Sequence, residues 1–279
     1  MAAFRYVVCD VFTDRPLAGN QLAVFTDARA IPEDLLQPLA RELNLAETVF
    51  LLPAEGDGHA RIRIFTPVTE LPFAGHPVLG SAFVLGGPLQ LEEIKLETGS
   101  GVVPVQLERE GARIVFGWML QPTPLWRPYE RAEELLSAVG VERSLLPVDF
   151  YELGPGHAFV RLADEAAVAA LEPDFAALKR LPVGANCFAG SDGRWKTRMF
   201  APHDGVPEDP ASGSAAGPLA VHLLRYVVIE TGQEIEISQG AELGRPSTLY
   251  ARATGTAEAI ERVEVGGQAV IVARGEFRL

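Results

Sequence analysis

The chain has 279 residues, 48% of them hydrophobic and 22% charged, as expected for a globular protein with a core large enough for two domains. The formal net charge of −13 argues against nucleic acid as a partner, because phosphate binding needs clustered Lys and Arg. Two cysteines, Cys9 and Cys187, are too few for a disulfide framework and indicate a reducing, cytoplasmic compartment. No signal peptide or membrane-spanning stretch is predicted, so we expect no interaction with a membrane.

In chain order, the first predicted elements are two strands, a helix and a third strand. Runs of apolar residues predict the strands, at residues 4–12, 21–25 and 45–52. Acidic residues after Pro32 are typical of a first helical turn, and Asn44 suits a left-handed residue at the end of that helix.

Glu47, within the third predicted strand, is a candidate for acid–base chemistry. It shares a face with apolar residues, where burial would favour the neutral carboxyl group and raise its pKa. Such a group can both accept and donate a proton. Alternatively, Glu47 lies solvated at the open end of the strand, because Glu is rarely buried.

The stretch 61–87 dominates the organisation of the chain. A strand at 61–65 is followed by a Pro-punctuated loop and then by the uncharged run 77–87. A helix without charge on any face is normally surrounded by protein. Gly75 and His76 precede Pro77, so we expect His76 at the helix cap, beside free N–H groups that attract an anion.

A similar pattern recurs in the second half. Residues 198–202 (RMFAP) repeat 63–67 (RIFTP), and Gly213-Ser214 takes the place of Gly75-His76 before another uncharged run. Ser214 is interpreted as a helix cap. Two similar halves, 1–118 plus 265–279 and 119–264, would bring two anion-seeking helix ends to one site. A shorter repeat places Asn20 in GNQLAVF against Asn186 in GANCFAG.

The remaining segments are rich in predicted strands. Turn residues separate three strands after the uncharged run, and four more strands follow residue 233. A Pro-rich linker is expected at 121–128 and a helix at 132–139, whereas 225–230 lacks the Gly or Asn expected after a helix. Strands outnumber helices and come in hairpin-like groups, so the predicted class is α+β.

Several catalytic classes lack their motifs. The five histidines form no HExxH or Cys/His ligand spacing, so no metal site is predicted, and the nucleotide motifs and the GxSxG elbow are missing. Acid–base chemistry remains, with Glu47, His76 and Asp209 as candidates. Asp209 is otherwise a solvated turn residue beside Glu208, and His76 a simple cap.

Several motifs together resemble one known family, the PhzF family. The resemblance runs over nearly the whole length and rests on DVFTDRPLAGNQLAVF, LNLAETVFLL, RIFTPVTELPFAGHPVLG and RMFAPHDGVPEDPASGSAAGPLA. Three further segments, NCFAG, WKTRMFAP and GRPS, are similar to the family's phenazine-biosynthesis members.

This resemblance implies a diaminopimelate-epimerase-like fold, with two pseudo-symmetric halves, each a curved sheet around a central helix. It implies a homodimer, no cofactor, and isomerisation of a small cyclic carboxylate, trans-2,3-dihydro-3-hydroxyanthranilate. The implied catalytic residues are Glu47, His76 and Asp209. The implied substrate-binding residues are Asn20, Gly75, His76, Asp209, Gly213 and Ser214.

Related epimerases use two opposed cysteines at the helix mouths, where this chain has Ala74 and Ser212. The resemblance therefore favours a single carboxyl group as the proton carrier. Two alternatives stay open: isomerisation or epimerisation of another small amino or hydroxy acid, and non-catalytic binding of a small carboxylate.

Overall fold

The structure is a computed structural model that describes residues 2–279. The chain divides into two compact units. Unit 1 contains the residues up to Leu120 together with Gly266–Leu279, and unit 2 contains Gln121–Val265. Among the described residues, none of the helices combines the length and the apolar character needed to cross a membrane.

Unit 1 begins with strands and two helices. In chain order its elements are β1 (Ala3–Val11), β2 (Asn20–Phe25), α1 (Glu33–Leu43), β3 (Glu47–Leu52), β4 (Ala60–Phe65), β5 (Glu70–Leu71), α2 (Gly75–Leu89), β6 (Glu93–Thr98), β7 (Gly101–Glu110) and β8 (Arg113–Gln121). The β2–β3 and β4–β6 pairs are parallel, and the β1–β2, β3–β4, β4–β5, β6–β7 and β7–β8 pairs are antiparallel.

Unit 2 has a comparable set of elements. They are β9 (Leu125–Pro128), α3 (Ala132–Val139), β10 (Asp149–Glu152), β11 (Gly156–Arg161), α4 (Glu165–Ala169), α5 (Phe175–Leu178), β12 (Gly184–Ser191), β13 (Arg194–Ala201), a 3₁₀ turn (Pro202–Asp204), β14 (Val206–Asp209), α6 (Gly213–Arg225), β15 (Ile235–Gln239), a second 3₁₀ turn (Ala241–Leu243), β16 (Ser247–Gly255) and β17 (Ile260–Gly267). The last strand, β18 (Ala269–Arg278), returns to unit 1 and pairs antiparallel with β1.

The two units repeat one order of strand pairings. In unit 2 the β11–β12 and β13–β15 pairs are parallel, and the β10–β11, β12–β13, β13–β14 and β15–β16 pairs are antiparallel. This order matches unit 1 when β2 is compared with β11, β3 with β12 and α2 with α6. The match extends to register, because Phe65 of the RIFTP segment pairs with Thr48, and Phe200 of RMFAP pairs with Ala185.

This alignment corrects the shorter repeat predicted from sequence. Asn20 begins β2, whereas Asn186 lies in β12, the counterpart of β3. The two asparagines therefore occupy different strands of the shared pattern, and their similar flanking letters do not reflect an equivalent position.

Each unit has its own hydrophobic core. In unit 1, α1 buries Leu36 and Leu39 in a cluster that includes the stacked rings of Phe25 and Phe50. The cluster in unit 2 packs α3, α4 and α5 against β11 and β12. Since burial of apolar surface is the main favourable term in folding, the helices of each unit stabilise it by covering strands of the same unit.

Helix α2 is uncharged and packs against its own unit, as the sequence predicts. It contacts β1, β2, β3, β6 and β7, and its residues from Gly75 through Val84 are all buried. Close approach to the sheet depends on Gly80, where an ideal Cβ would lie 2.7 Å from the Leu22 side chain and 2.8 Å from Val11. The helix therefore fixes its N-terminus firmly above β2 and β3.

Two details differ from the sequence-based expectations. The segment expected to be a linker contains β9, which pairs with β10. The short strands β5 and β14, which precede α2 and α6, were not predicted from the sequence. Strands of two to four residues are too short to show an alternating hydrophobic pattern. As the sequence indicates, no Gly or Asn closes α6: the helix ends at Arg225 with Tyr226 as its C-cap, and Val227 adopts a left-handed φ of 55° where Gly or Asn is usual.

Candidate active site

In unit 1, Glu47 and His76 come together from different elements. Glu47 is the first residue of β3, and His76 is the second residue of α2. The Glu47 Oε2 and His76 Nε2 atoms are 3.2 Å apart, and the two side chains are 12% and 3% exposed. Glu47 is thus almost enclosed rather than solvated at an open strand end, and its carboxyl group faces an imidazole ring.

Asn20 joins the same group from the neighbouring strand. Parallel pairing of β2 with β3 sets Leu22 beside Glu47, so the start of β2 lies at the same edge of the sheet. The Asn20 Nδ2 atom is 3.2 Å from His76 Nδ1. Two strands and one helix N-terminus therefore bring an amide, an imidazole and a carboxyl group into one cluster.

Burial controls the charge of the His76 ring. Removal from water lowers the pKa of His76 to about 3, and a hydrogen bond with the backbone of Gln21 only partly opposes this. The imidazole is consequently neutral near pH 7, so its contact with the Glu47 carboxyl group is not an ion pair. A neutral ring can donate one hydrogen bond without competing for the proton that Glu47 carries.

The N-terminus of α2 differs in detail from the prediction. The cap is Ala74, which supplies no side-chain hydrogen bond, and His76 lies inside the first turn instead of at the cap. Gly75 and His76 are both buried. Because the first backbone N–H groups of a helix have no partner within it, this end attracts negative charge.

In unit 2, Asp209 belongs to a compact hydrogen-bonded network. Ser212 Oγ donates to Asp209 Oδ2 at 2.6 Å. Gln239 Nε2 donates to Ser212 Oγ at 2.9 Å and to the Asp209 carbonyl at 2.7 Å. Asp209 is buried at the end of β14, so the alternative of a solvated turn residue is wrong. Glu208 forms an ion pair with Arg198.

The N-terminus of α6 is built from the same network. Ser212 occupies the N-cap position, and Ser214, expected to be the cap, is the second helical residue. Gln239 Oε1 accepts from the Ser212 backbone N–H at 3.2 Å. Gln121 Nε2 donates to the Gly213 carbonyl at 2.8 Å. The first turn of α6 is thereby held by two glutamine side chains.

The structure therefore groups the predicted residues within units. Asn20, Glu47, Gly75 and His76 meet in unit 1. Sequence reasoning did not identify Gln239 or the buried His157, whose Nε2 atom lies 3.0 Å from Ser214 Oγ; both come from strands that only the fold brings to α6. Within the described part of the chain, no group of three or more His, Cys, Asp or Glu residues is arranged to hold a metal ion.

A comparison of the sequence with known families decides the relationship. The profile of the family described as phenazine biosynthesis-like protein (PhzC-PhzF) matches residues 9–275. The chain belongs to this PhzF family. One PhzF relative is the trans-2,3-dihydro-3-hydroxyanthranilate isomerase of Pseudomonas aeruginosa, which is 50% identical over 276 residues, 99% of each protein.

Solved structures share the fold of this chain. A PhzF-family phenazine biosynthesis protein from Bacillus anthracis matches all of both chains with a TM-score of 0.84 at 24% identity. A hydroxyproline epimerase from Agrobacterium vitis matches 99% of this chain and 91% of its own, with a TM-score of 0.69 at 12% identity. These likenesses concern the fold alone and confirm the predicted α+β, epimerase-like class.

Proposed function

We propose that the protein is an isomerase that moves a proton within trans-2,3-dihydro-3-hydroxyanthranilate, a small cyclic carboxylate of phenazine biosynthesis. The proposal is supported by membership of the PhzF family and by 50% identity to the Pseudomonas aeruginosa isomerase along almost the whole chain. The observation that carries it is the nearly enclosed Glu47 carboxyl group beside the neutral ring of His76.

In this reaction Glu47 is the proton carrier. Its carboxylate takes the proton from C3 of the substrate, and the electron pair spreads through both ring double bonds to the carbon that bears the carboxylate. Protonated Glu47 then returns the proton to C1, which gives an enol that becomes an aminoketone. Atoms and electrons balance with the proton alone, so no cofactor forms part of the proposal.

Electrostatic stabilisation is the main contribution expected of the remaining residues. Backbone N–H groups at Gly75-His76 in unit 1 and at Gly213-Ser214 in unit 2 would each favour an anionic group of the substrate, because helix N-termini favour anions. His76, Asn20 and Asp209 would orient the amine and hydroxyl groups. Their hydrogen-bonded settings, 3.2 Å between Asn20 and His76 and 2.6 Å between Ser212 and Asp209, favour fixed orientations.

Epimerisation by two bases is the less favoured chemistry. The residues at the N-caps of α2 and α6 are Ala74 and Ser212, neither of which is a thiol. Cys9 and Cys187 lie buried in β1 and β12, and burial raises the pKa of both thiols to about 12, so they stay protonated at neutral pH. One carboxyl group that both removes and returns the proton needs no thiol.

The proposal includes a cytoplasmic homodimer. The reduced state of Cys9 and Cys187 is consistent with a reducing compartment. The dimer is inferred from the family resemblance, and sedimentation equilibrium of the purified protein tests it directly.

The deciding experiment incubates the purified protein with trans-2,3-dihydro-3-hydroxyanthranilate and follows its ultraviolet spectrum. We expect loss of the conjugated diene of the substrate, and in D₂O we expect deuterium at C1 of the product if the Glu47 proton exchanges with solvent. An unchanged spectrum would contradict the proposed substrate. A panel of small amino and hydroxy acids, monitored for deuterium uptake in D₂O, distinguishes an epimerase from a protein that only binds carboxylates.

A further inference from the structure

Unit 2 contains a chain of three buried polar side chains that the proposed reaction does not use in full. Asn186 in β12, His157 in β11 and Ser214 in α6 are each at most 7% exposed. The Asn186 Nδ2 atom is 3.2 Å from His157 Nδ1, and His157 Nε2 is 3.0 Å from Ser214 Oγ. Because burying a polar group costs free energy unless it is hydrogen-bonded, we expect each of these contacts to be a hydrogen bond with a defined donor and acceptor.

The direction follows from the Gly184 carbonyl. Asn186 Nδ2 also lies 3.0 Å from that oxygen, which can only accept, so the nitrogen of the amide must face it. The second amide hydrogen is then given to His157 Nδ1, which must be unprotonated. A neutral imidazole carries its single proton on the other nitrogen, so His157 Nε2 donates to Ser214 Oγ.

The charge state of the ring agrees with this assignment. Burial lowers the pKa of His157 to about 4; nearby Asp204 opposes the shift and His203 adds to it. Near pH 7 the ring is therefore neutral and carries a single N–H proton, on one of its two nitrogens. Because the Ser214 oxygen accepts that proton's hydrogen bond, the hydroxyl hydrogen of Ser214 is left to donate to another group at the α6 N-terminus.

We propose that His157 is a positioning residue, which fixes the Ser214 hydroxyl as a hydrogen-bond donor to the carboxylate of the bound ligand. The inference deepens the proposed function and rests on it for the identity of the ligand. His157 itself does not contact the ligand, and Asn186 acts only by fixing the tautomer of His157.

The shared strand pattern argues against simple packing as the reason for a histidine here. Strand pairing sets His157 beside Gly184 in unit 2 and Leu22 beside Glu47 in unit 1. A leucine thus fills the equivalent core position of unit 1. In unit 2 the imidazole has room only because residue 184 is glycine, since an ideal Cβ there would lie 2.9 Å from His157 Nδ1.

A double-mutant cycle on ligand binding tests the inference. The probe is 3-hydroxyanthranilate, an aromatic analogue with the same carboxylate, amine and hydroxyl groups, and affinity is measured by titration calorimetry. We expect Ser214→Ala and His157→Leu each to weaken binding about 10-fold, the usual effect of one hydrogen bond to a charged group. The double variant should bind no more weakly than Ser214→Ala alone, because His157 acts only through that hydroxyl.

A third variant separates positioning from packing. His157→Gln can place an amide N–H where Nε2 lies, so it should bind within a few-fold of wild type, and circular dichroism confirms that each variant is folded. A His157→Leu effect of equal size with and without the Ser214 hydroxyl would overturn the inference, as would a wild-type protein that does not bind the analogue.

Nitrogen NMR of the ligand-free protein makes failure of this inference distinguishable from failure of the proposed function. We expect an unprotonated Nδ1 and a protonated Nε2 for His157, and the opposite tautomer would contradict the inference alone. Conversely, a wild-type protein that binds the analogue but does not isomerise the substrate would contradict the proposed function alone, because the cycle is measured by binding.

Discussion

Glu47 and Gly184 occupy the same position in the strand patterns of the two units. Thr48 in β3 pairs with Phe65, and Ala185 in β12 pairs with Phe200, the equivalent residue of the repeated segment. Glu47 directly precedes Thr48, and Gly184 directly precedes Ala185. Only unit 1 therefore has an acid–base side chain at this position. This difference favours chemistry in which one carboxyl group serves both proton transfers, rather than two bases of equal standing.

Replacement of the proton carrier gives the first prediction. Glu47→Gln keeps the size of the side chain and removes its ability to take a proton, so we expect kcat to fall by roughly 10²–10⁴-fold with little change in thermal stability. The rate is measured from the ultraviolet spectrum of the proposed substrate. Glu42→Gln, which alters an exposed carboxylate on α1, is the matched control and should keep the wild-type rate. Full activity in the Glu47→Gln variant would show that another group carries the proton.

The second prediction concerns acid stability. Burial lowers the pKa values of His76, His157 and His222 to about 3, 4 and 3, whereas each titrates near 6.5 in the unfolded chain. Below pH 6.5 these histidines bind protons in the unfolded state but remain neutral in the folded state. Stability is therefore full above that pH and is lost as the pH falls towards 4, by about 1.4 kcal/mol per pH unit for each histidine. Urea unfolding at pH 7, 6 and 5 measures the slope.

His222 allows that slope to be assigned to a residue outside the proposed site. Its Nδ1 atom is 3.1 Å from the Tyr151 hydroxyl, and its ring stacks on Phe159. His222→Asn retains a hydrogen-bonding group without the titration, so the stability difference between pH 7 and pH 5 should shrink by about 2 kcal/mol. An identical pH dependence in the variant and the wild type would refute the role of His222.

The sequence predicts the elements that carry strong patterns. The uncharged run after His76 predicts a buried helix because no face of it could meet water, and α2 is such a helix. The prediction of a left-handed Asn44 at the end of the first helix is confirmed by its φ of 50°. The boundaries are less well predicted, since the caps of α2 and α6 lie at Ala74 and Ser212, before the residues expected there.

The hydrogen-bonded clusters could not be predicted in the same way. Gln239 at the end of β15 reaches Ser212 at the N-cap of α6, and His157 reaches Asn186 across the pairing of β11 with β12. Nothing in the local sequence encodes these contacts, because they depend on strand register between distant segments. The closeness of Glu47 to His76 likewise required the strand and helix to be placed together, although each residue alone was a candidate.

A pair of glycines in α2 gives the third prediction. Gly80→Ala would force a methyl group to within 2.7 Å of Leu22 and 2.8 Å of Val11, so we expect a loss of about 1–3 kcal/mol in the free energy of unfolding. Gly87 lies in the same helix, and apart from its chain neighbours and the nearby helix backbone no atom lies within 4 Å of its ideal Cβ. Gly87→Ala should therefore change the free energy of unfolding by only about 0.5 kcal/mol, because the better helix propensity of alanine is offset by Pro88, which disfavours helical backbone at a preceding residue with a Cβ atom. Urea unfolding compares them, and similar effects from both substitutions would contradict the close packing of α2.

The end of α6 gives the fourth prediction. Val227 is 85% exposed and has a φ of 55°, a left-handed conformation that costs a β-branched residue about 1–2 kcal/mol. Its backbone N–H donates to the Leu224 carbonyl at 3.0 Å, so this conformation closes the helix and is retained in variants.

Val227→Gly removes the steric conflict at a site with few side-chain contacts to lose. We expect the free energy of unfolding to rise by about 1 kcal/mol, the gain being limited by the greater freedom of glycine in the unfolded chain. Val227→Ala keeps a Cβ atom in the left-handed region and should gain clearly less, which makes it the matched control. Thermal and urea unfolding measure both variants. If alanine stabilises as much as glycine, removal of exposed apolar surface rather than relief of backbone strain accounts for the effect.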